Sequence, residues 1–172
     1  MRFSFFGAPG SGKTAVAMAV GSVWGLHREP DSARNRGFAE SWNNTLNNLE
    51  PVAAAHNHTL LILDETRTAD KRGRPLAETI TNAVMRLEKS AEKGRHNDAA
   101  PPKSWWVPVL STSNKSLDEM AVEGRASIDD AHRGRLSDIP LPDDGSGIFE
   151  DLHGFETHAA LSKRLAELSL DH

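Results

Sequence analysis

Gly7-Ala8-Pro9-Gly10-Ser11-Gly12-Lys13-Thr14 sets three glycines, a lysine and a hydroxyl at the spacing G-x-x-x-x-G-K-[ST]. The chemistry that needs these residue types in this order is the cradling of a phosphate chain. Glycines reach backbone angles closed to other residues and let the main chain come close to a ligand. Successive N–H groups then converge into an anion-binding concavity. A helix beginning at Lys13 adds the partial positive charge of its N-terminus. Lys13 supplies a mobile cation for the outer phosphates, and Thr14 a hydroxyl for a magnesium ion. Gly7, Ala8, Pro9, Gly10, Ser11, Gly12, Lys13, Thr14 and Ala15 are therefore the candidate nucleotide contacts, with ATP and Mg2+ as the implied ligands. The plainer reading, a glycine-rich turn before an ordinary helix, leaves the full match and its flanks unexplained.

The second candidate cluster closes Thr59-Leu60-Leu61-Ile62-Leu63-Asp64-Glu65, where two carboxylates follow four aliphatic residues. A continuous aliphatic run reads as a strand buried on both faces, as in a parallel sheet. Ligands of open α/β sheets bind at the carboxyl ends of their strands. Asp64 is the candidate metal carboxylate, alone or through water. Glu65 is the candidate base that orients and deprotonates an attacking water. An Asp-Glu pair by itself is an ordinary strand end; the phosphate loop upstream gives it meaning. Ser111-Thr112-Ser113-Asn114 ends a third apolar run. It is either a capped turn before a helix from about Leu117 to Glu123 or a polar tip beside the phosphates. His56 and His58 lack a third ligand at metal spacing and read as a helix end.

Chemistry at these points requires elements to hold them. Arg2 to Phe6 reads as a strand entering the loop, and Lys13 to about Trp24 as a helix. That helix is apolar on most sides (Val16, Met18, Val20, Val23, Trp24), the signature of a buried helix, and Gly25 is a plausible stop. Leu26 to Arg36 reads as loop, and Phe38 to Trp42 as a short strand. Asn43 to Asn48 reads as a turn that caps a helix from Leu49 to Ala55, with Pro51 in the first turn. Pro75 opens a helix carrying Leu76, Ile80, Ala83, Val84, Leu87 and Ala91 at helical spacing, stopped by Gly94. His96 to Lys103 reads as loop. Trp105 to Ser111 reads as a strand that either starts late or begins at an edge, because Pro108 lacks a ladder donor. Leu136 to Ile139 reads as a last strand, Pro140 to Gly147 as a loop, and Thr157 to Leu168 as a helix with Leu161, Leu165 and Leu168 on one stripe.

The chain has 172 residues and a net charge of −4, with no cysteine. This length suits a single domain with a real core. A negative chain is no general nucleic-acid binder, so any DNA contact must come from local basic loops such as Arg67, Lys71, Arg72 and Arg74. Disulfide and thiolate chemistry are excluded, in keeping with a reducing compartment. No apolar run spans a bilayer, and Met1 leads almost directly into the first strand rather than into a leader segment. The expectation is a cytoplasmic protein.

Beyond these motifs the chain resembles the family called domain of unknown function 927. The resemblance rests on Ser22-Val23-Trp24-Gly25, Ser41 to Glu50, Ala54 to Asn57 and Leu60 to Glu65. It continues through Trp105-Trp106 into Leu110-Ser111-Thr112, the R-x-x-D-I-P segment Arg135 to Pro140, and Ile148 to Gly154. It implies an α/β P-loop NTPase with three α/β/α layers and a mainly parallel five-stranded sheet, AAA+-like, of order 5-1-4-3-2. Family members are helicase-like proteins of phages and mobile elements, and such cores act as rings, often hexamers. Thr112 or Asn114 would then read the γ-phosphate as sensor 1. Arg135 would be an arginine finger reaching a neighbouring subunit, with Arg133 as the alternative. Against the family's pattern, the N-terminal DNA-processing region before the loop and most of the lid after the His-Gly segment are missing, and another chain is a candidate supplier of that lid. Ser113-Asn114 also stands where Gly-Glu is expected.

The implied function is the ATP-hydrolysing motor core of a helicase-like protein acting on DNA in replication of a phage or mobile element. The alternative is a nucleotide-binding assembly or regulatory module with little or no hydrolysis. A small P-loop kinase fits the size, but no Arg-rich lid or acceptor motif accompanies it.

Overall fold

Consecutive side chains on a strand point to opposite faces, so Leu61, Ile62 and Leu63 must serve two cores. In the computed structural model they do. Leu61 and Leu63 join Trp42, Ile80, Val84 and Met120 in one cluster; Ile62 joins Ala17, Met18 and Leu110 in the other. The structure describes residues 1–24, 39–69, 73–90, 104–142 and 147–168, with the backbone alone at 43–47 and 68.

The strands are β1 (Arg2–Phe6), β2 (Glu40–Ser41), β3 (Leu61–Asp64), β4 (Val109–Ser113) and β5 (Ser137–Pro140); the helices are α1 (Lys13–Gly21), α2 (Trp42–Ala55), α3 (Leu76–Glu88), α4 (Leu117–Gly124), α5 (Asp130–Arg133) and α6 (His158–Leu168). They form one five-stranded sheet of order β2-β3-β4-β1-β5, every pair parallel. This is the order expected, and with helices on both faces the three-layer P-loop NTPase architecture stands. β4 lies between β1 and β3. The loop after β1 and the carboxylates after β3 therefore open onto the same sheet edge, flanking the end of β4.

Several boundaries differ from the sequence reading, each for a local reason. α1 ends at Gly21 rather than Trp24, and its buried residues are Lys13, Ala17, Met18 and Gly21. The helix is not buried all round: Val20, Val23 and Trp24 are exposed by 39%, 75% and 48%. Asn43 to Asn48 is not a turn. The backbone is helical from Trp42 and breaks only at Asn48 (φ −128°, ψ 30°). Trp42 is fully buried and its Nε1 donates to Ser111 Oγ at 2.9 Å; this anchor overrides the preference of asparagine for turns. The break leaves Pro51 in the first turn of the second half, where a missing N–H costs little.

α3 stops at Glu88, and Pro75 stands at its N-cap rather than inside its first turn. Ser90 turns the chain with φ 57°, and Trp105, buried, donates from Nε1 to Leu87 O at 3.1 Å. β4 starts after Pro108, so the missing N–H falls outside the strand, while the Pro108 carbonyl still accepts from Leu61 N at 2.9 Å. β3 stops at Asp64, and β5 begins one residue later than expected. α4 does carry a cap, with Ser116 and Glu119 forming a reciprocal capping box. Expectations at Gly25, Leu26 to Arg36, Phe38, Lys71, Arg72, Ala91 and Gly94 lie outside the described residues, as does the loop to Lys103.

Candidate functional site

The loop after β1 turns by means that only glycine reaches easily. Gly10 and Gly12 sit at φ 81° and 87°, in the left-handed region that L side chains disfavour. A Cβ on Gly12 would also come within 2.9 Å of Ile148 Cγ2 and 3.0 Å of the Phe149 ring. α1 begins directly on this turn, with no side-chain cap and no acidic residue in its first turn. Its leading N–H groups and its dipole are thus left to an anion.

Lys13 is 7% exposed. Its Nζ donates to Gly7 O at 2.9 Å, Ala8 O at 2.7 Å and Ser11 Oγ at 3.1 Å. Burial pushes the ammonium below its ordinary value, while Glu65 and Asp64 pull the other way. Thr14 Oγ1 donates to Asp64 Oδ1 at 3.1 Å, so the loop hydroxyl and the strand carboxylate meet. The register explains the rest. Leu63 pairs with Ser111 across β3 and β4, which sets Asp64 beside Thr112. Thr112 Oγ1 donates to Asp64 Oδ1 at 2.6 Å and accepts from Glu65 N at 2.9 Å. One threonine thus locks both acidic residues in place.

A hydroxyl beside a carboxylate is an all-oxygen donor pair of the kind hard Mg2+ prefers, so Thr14 and Asp64 fit that ion. Among the described residues no group of three or more His, Cys, Asp or Glu side chains could hold a metal. His56 Nδ1 lies 3.2 Å from Leu60 O at the helix end.

Glu65 leaves the ladder in a strained conformation, φ 56° and ψ 84°. Such angles in a non-glycine residue cost on the order of 1–3 kcal/mol and cluster at functional sites. Its carboxylate caps the short 3₁₀ turn Thr66–Thr68, accepting from Arg67 N at 3.2 Å, with Arg67 Nε 3.4 Å from the same oxygen. The residues from Pro9 to Ala15 line a cleft of about 340 Å³ with Glu65, Arg67, Thr112, Ser113 and Asn114. Arg67 was read from sequence as part of a basic surface loop; it stands at the cleft.

The sequence reading missed Gly147 and Ile148. Ile148 N donates to Ser11 O at 2.9 Å, so the chain after β5 clamps the phosphate loop from behind. Gly147 has φ 61°, and a Cβ there would stand 2.7 Å from Ser11 O. Phe149 stacks on His158 of α6 at 6.3 Å. The only signal in the sequence was the resemblance over Ile148 to Gly154, which carries no role for these residues. Gly147→Ala is expected to cost about 1–3 kcal/mol through backbone strain, read as a lower denaturant midpoint at unchanged slope.

The structure does not bring Arg135 to this cleft. Ser137 pairs with Phe3, so Arg135 lies beside the start of β1, on the order of 13 Å of strand from the loop. Its Nε donates to Glu88 Oε2 at 2.6 Å and its guanidinium also to Ala131 O. Arg133 is paired with Asp118 and Asp130. Neither lines its own subunit's cleft. Arg74 is exposed, away from the cleft lining.

A family model described as "Domain of unknown function (DUF927)" matches residues 1–97. No curated protein matches the chain. Among solved structures, a chain titled "SCCmec type IV Cch - active helicase" superposes with a TM-score of 0.62 at 24% identity, covering 99% of this chain and 26% of that one. The likeness establishes a shared fold, and this chain spans about a quarter of that protein's length. NtrX from Brucella abortus, in complex with ATP, gives a TM-score of 0.49 at 16% identity over 81% of this chain and 33% of its own.

Proposed function

The chain belongs to the family described as domain of unknown function 927, and from that premise we propose that it is the ATP-binding and ATP-hydrolysing core of a helicase-like motor acting on DNA in phage or mobile-element replication. One observation carries the reading: Thr14 and Thr112 both donate to Asp64. This closes a phosphate loop, a metal carboxylate and a sensing strand into one constellation. A glycine-rich turn without this chemistry has no reason to face a buried carboxylate.

In this reading the loop amides and Lys13 hold the β- and γ-phosphates. Thr14 and Asp64 hold magnesium, which when bound neutralises phosphate charge. Glu65 orients a water and takes its proton as the oxygen attacks the γ-phosphorus and ADP departs. Catalysis is positioning and electrostatics. Thr112 or Asn114 senses the γ-phosphate. Arg135 acts only across a subunit boundary, so a homo-oligomeric ring is part of the proposal. Among the described residues no helix is long and apolar enough to cross a membrane.

The test is ATP turnover with and without magnesium and single-stranded DNA, alongside solution mass with a nucleotide analogue. Magnesium-dependent turnover and a nucleotide-dependent ring are expected. Absence of ATP binding overturns the reading; binding without turnover in any condition favours the second one, a nucleotide-binding assembly or regulatory module. One observation leans that way: the Glu65 carboxylate is engaged by Arg67.

A further inference from the structure

Asp138, in the R-x-x-D-I-P segment, is half-buried on β5 and lies outside the cleft lining. Taking a carboxylate partly out of water costs free energy unless a donor meets it. The donor here is distant in sequence: Leu117 N, the first amide of α4, donates to Asp138 Oδ2 at 2.6 Å. Helix starts leave such amides without an intrahelical acceptor. Ser116 and Glu119 already close a local capping box, so α4 does not need β5 in order to begin. What the Asp138 contact adds is a fixed place for that beginning relative to the sheet.

Only Asn114-Lys115-Ser116 joins β4 to α4. The β4 end of this link is also held: Thr66 donates to Ser113 Oγ at 2.9 Å, and Ser113 Oγ donates to Lys115 O at 2.6 Å. Asn114 therefore sits between two anchors, one at the strand tip and one at the helix start. It lines both the cleft of about 340 Å³ and a neighbouring cavity of about 520 Å³. Among the described residues its side-chain amide makes no hydrogen bond. Thr112, by contrast, is 2% exposed and gives its hydroxyl proton to Asp64. The uncommitted donor at the end of β4 is the Asn114 amide. We propose that Asp138 is a positioning residue for nucleotide sensing: by fixing the start of α4 it holds the Asn114 amide at the cleft, where that amide tells a nucleoside triphosphate from a diphosphate. The inference rests on the nucleotide-binding reading above, with Asn114 rather than Thr112 as the sensing side chain, and adds to it a residue outside the cleft.

The test compares the parent with Asp138→Ala, Asp138→Asn, Asn114→Ala and the Asn114→Ala/Asp138→Ala double variant. Calorimetric titration with magnesium gives Kd for ADP and for the non-hydrolysable β,γ-imido analogue of ATP, and a melting curve reports the fold. Asp138→Ala should lower the preference for the triphosphate about three- to tenfold, the range for weakening one hydrogen bond to a charged group. Its ADP affinity should stay within about twofold of the parent, because a diphosphate lacks the group that Asn114 would touch. Asp138→Asn should keep the parental preference, since its amide oxygen still accepts from Leu117 N. The double variant should lose no more than Asn114→Ala, because both substitutions remove one interaction. A lower melting temperature for Asp138→Ala reports the lost cap and does not bear on sensing. Should Asp138→Ala not fold, Asp138→Ser, whose hydroxyl stops one bond short of the lost carboxylate oxygen, is read the same way. An unchanged preference in Asp138→Ala overturns the proposal, as does an equal loss for both nucleotides or an additive loss in the double variant. An Asn114→Ala variant with the parental preference also overturns it and leaves sensing to Thr112. A parent that binds both nucleotides equally overturns it while the phosphate loop stands. A parent that binds neither refutes the functional reading, and this inference with it.

Discussion

Lys13→Ala should weaken nucleotide binding by about thirtyfold or more, with the fold kept. The lysine is 7% exposed, and its ammonium is held against the loop by Gly7 O, Ala8 O and Ser11 Oγ. Truncating one partner of a buried, hydrogen-bonded charge contact costs about 2–5 kcal/mol, and each 1.4 kcal/mol is a factor of ten. The fold survives because alanine is the best helix former at this first position of α1, and the loop keeps its clamp from Ile148. Lys13→Arg is not expected to rescue. The planar guanidinium is larger and cannot occupy the point between Gly7 O, Ala8 O and Ser11 Oγ that a compact ammonium fills. Calorimetric titration with ATP and magnesium, beside a melting curve, checks both halves. Parental affinity in a folded variant would sink the assignment of this loop.

Glu65→Gln should separate binding from chemistry. Loss of a general base typically lowers turnover 10²- to 10⁴-fold, whereas glutamine keeps the shape and still offers an oxygen to Arg67 N. Nucleotide affinity should hold, because glutamine keeps the side chain's size and the backbone N–H to Thr112 Oγ1 is untouched. The variant should therefore trap ATP unhydrolysed. Turnover within about threefold of the parent would remove Glu65 from the reaction and make the strained turn merely structural. The contrast with Lys13→Ala is the informative part: one variant loses affinity, the other only rate.

The two variants rest on different kinds of knowledge. The phosphate loop and the aliphatic strand ending in Asp64 are local patterns. Their backbone angles, burial and polarity are requirements that neighbouring residues state directly, and the structure meets them at Gly10, Gly12 and Leu61 to Asp64. Boundaries were less legible. Asn43 to Asn48 has the composition of a turn, yet the backbone, anchored by the buried indole of Trp42, is helical up to the break at Asn48. α1 looks apolar on every side, yet its last apolar residues face outward. In the first case a contact distant in sequence outweighed a local preference.

From the order of residues alone came the glycine loop, the two acidic residues that follow the aliphatic strand and, through family resemblance, the order of the strands. Each depends on short-range chemistry or on a shared pattern. Tertiary structure alone decided three further matters: that Thr112 grips Asp64 across 48 residues, that Ile148 clamps Ser11, and that Arg67 belongs to the cleft while Arg135 stands by Glu88. The reason is geometric. Strand register and loop return set which distant side chains meet, and no local spacing encodes a distance between segments that only the folded sheet brings side by side.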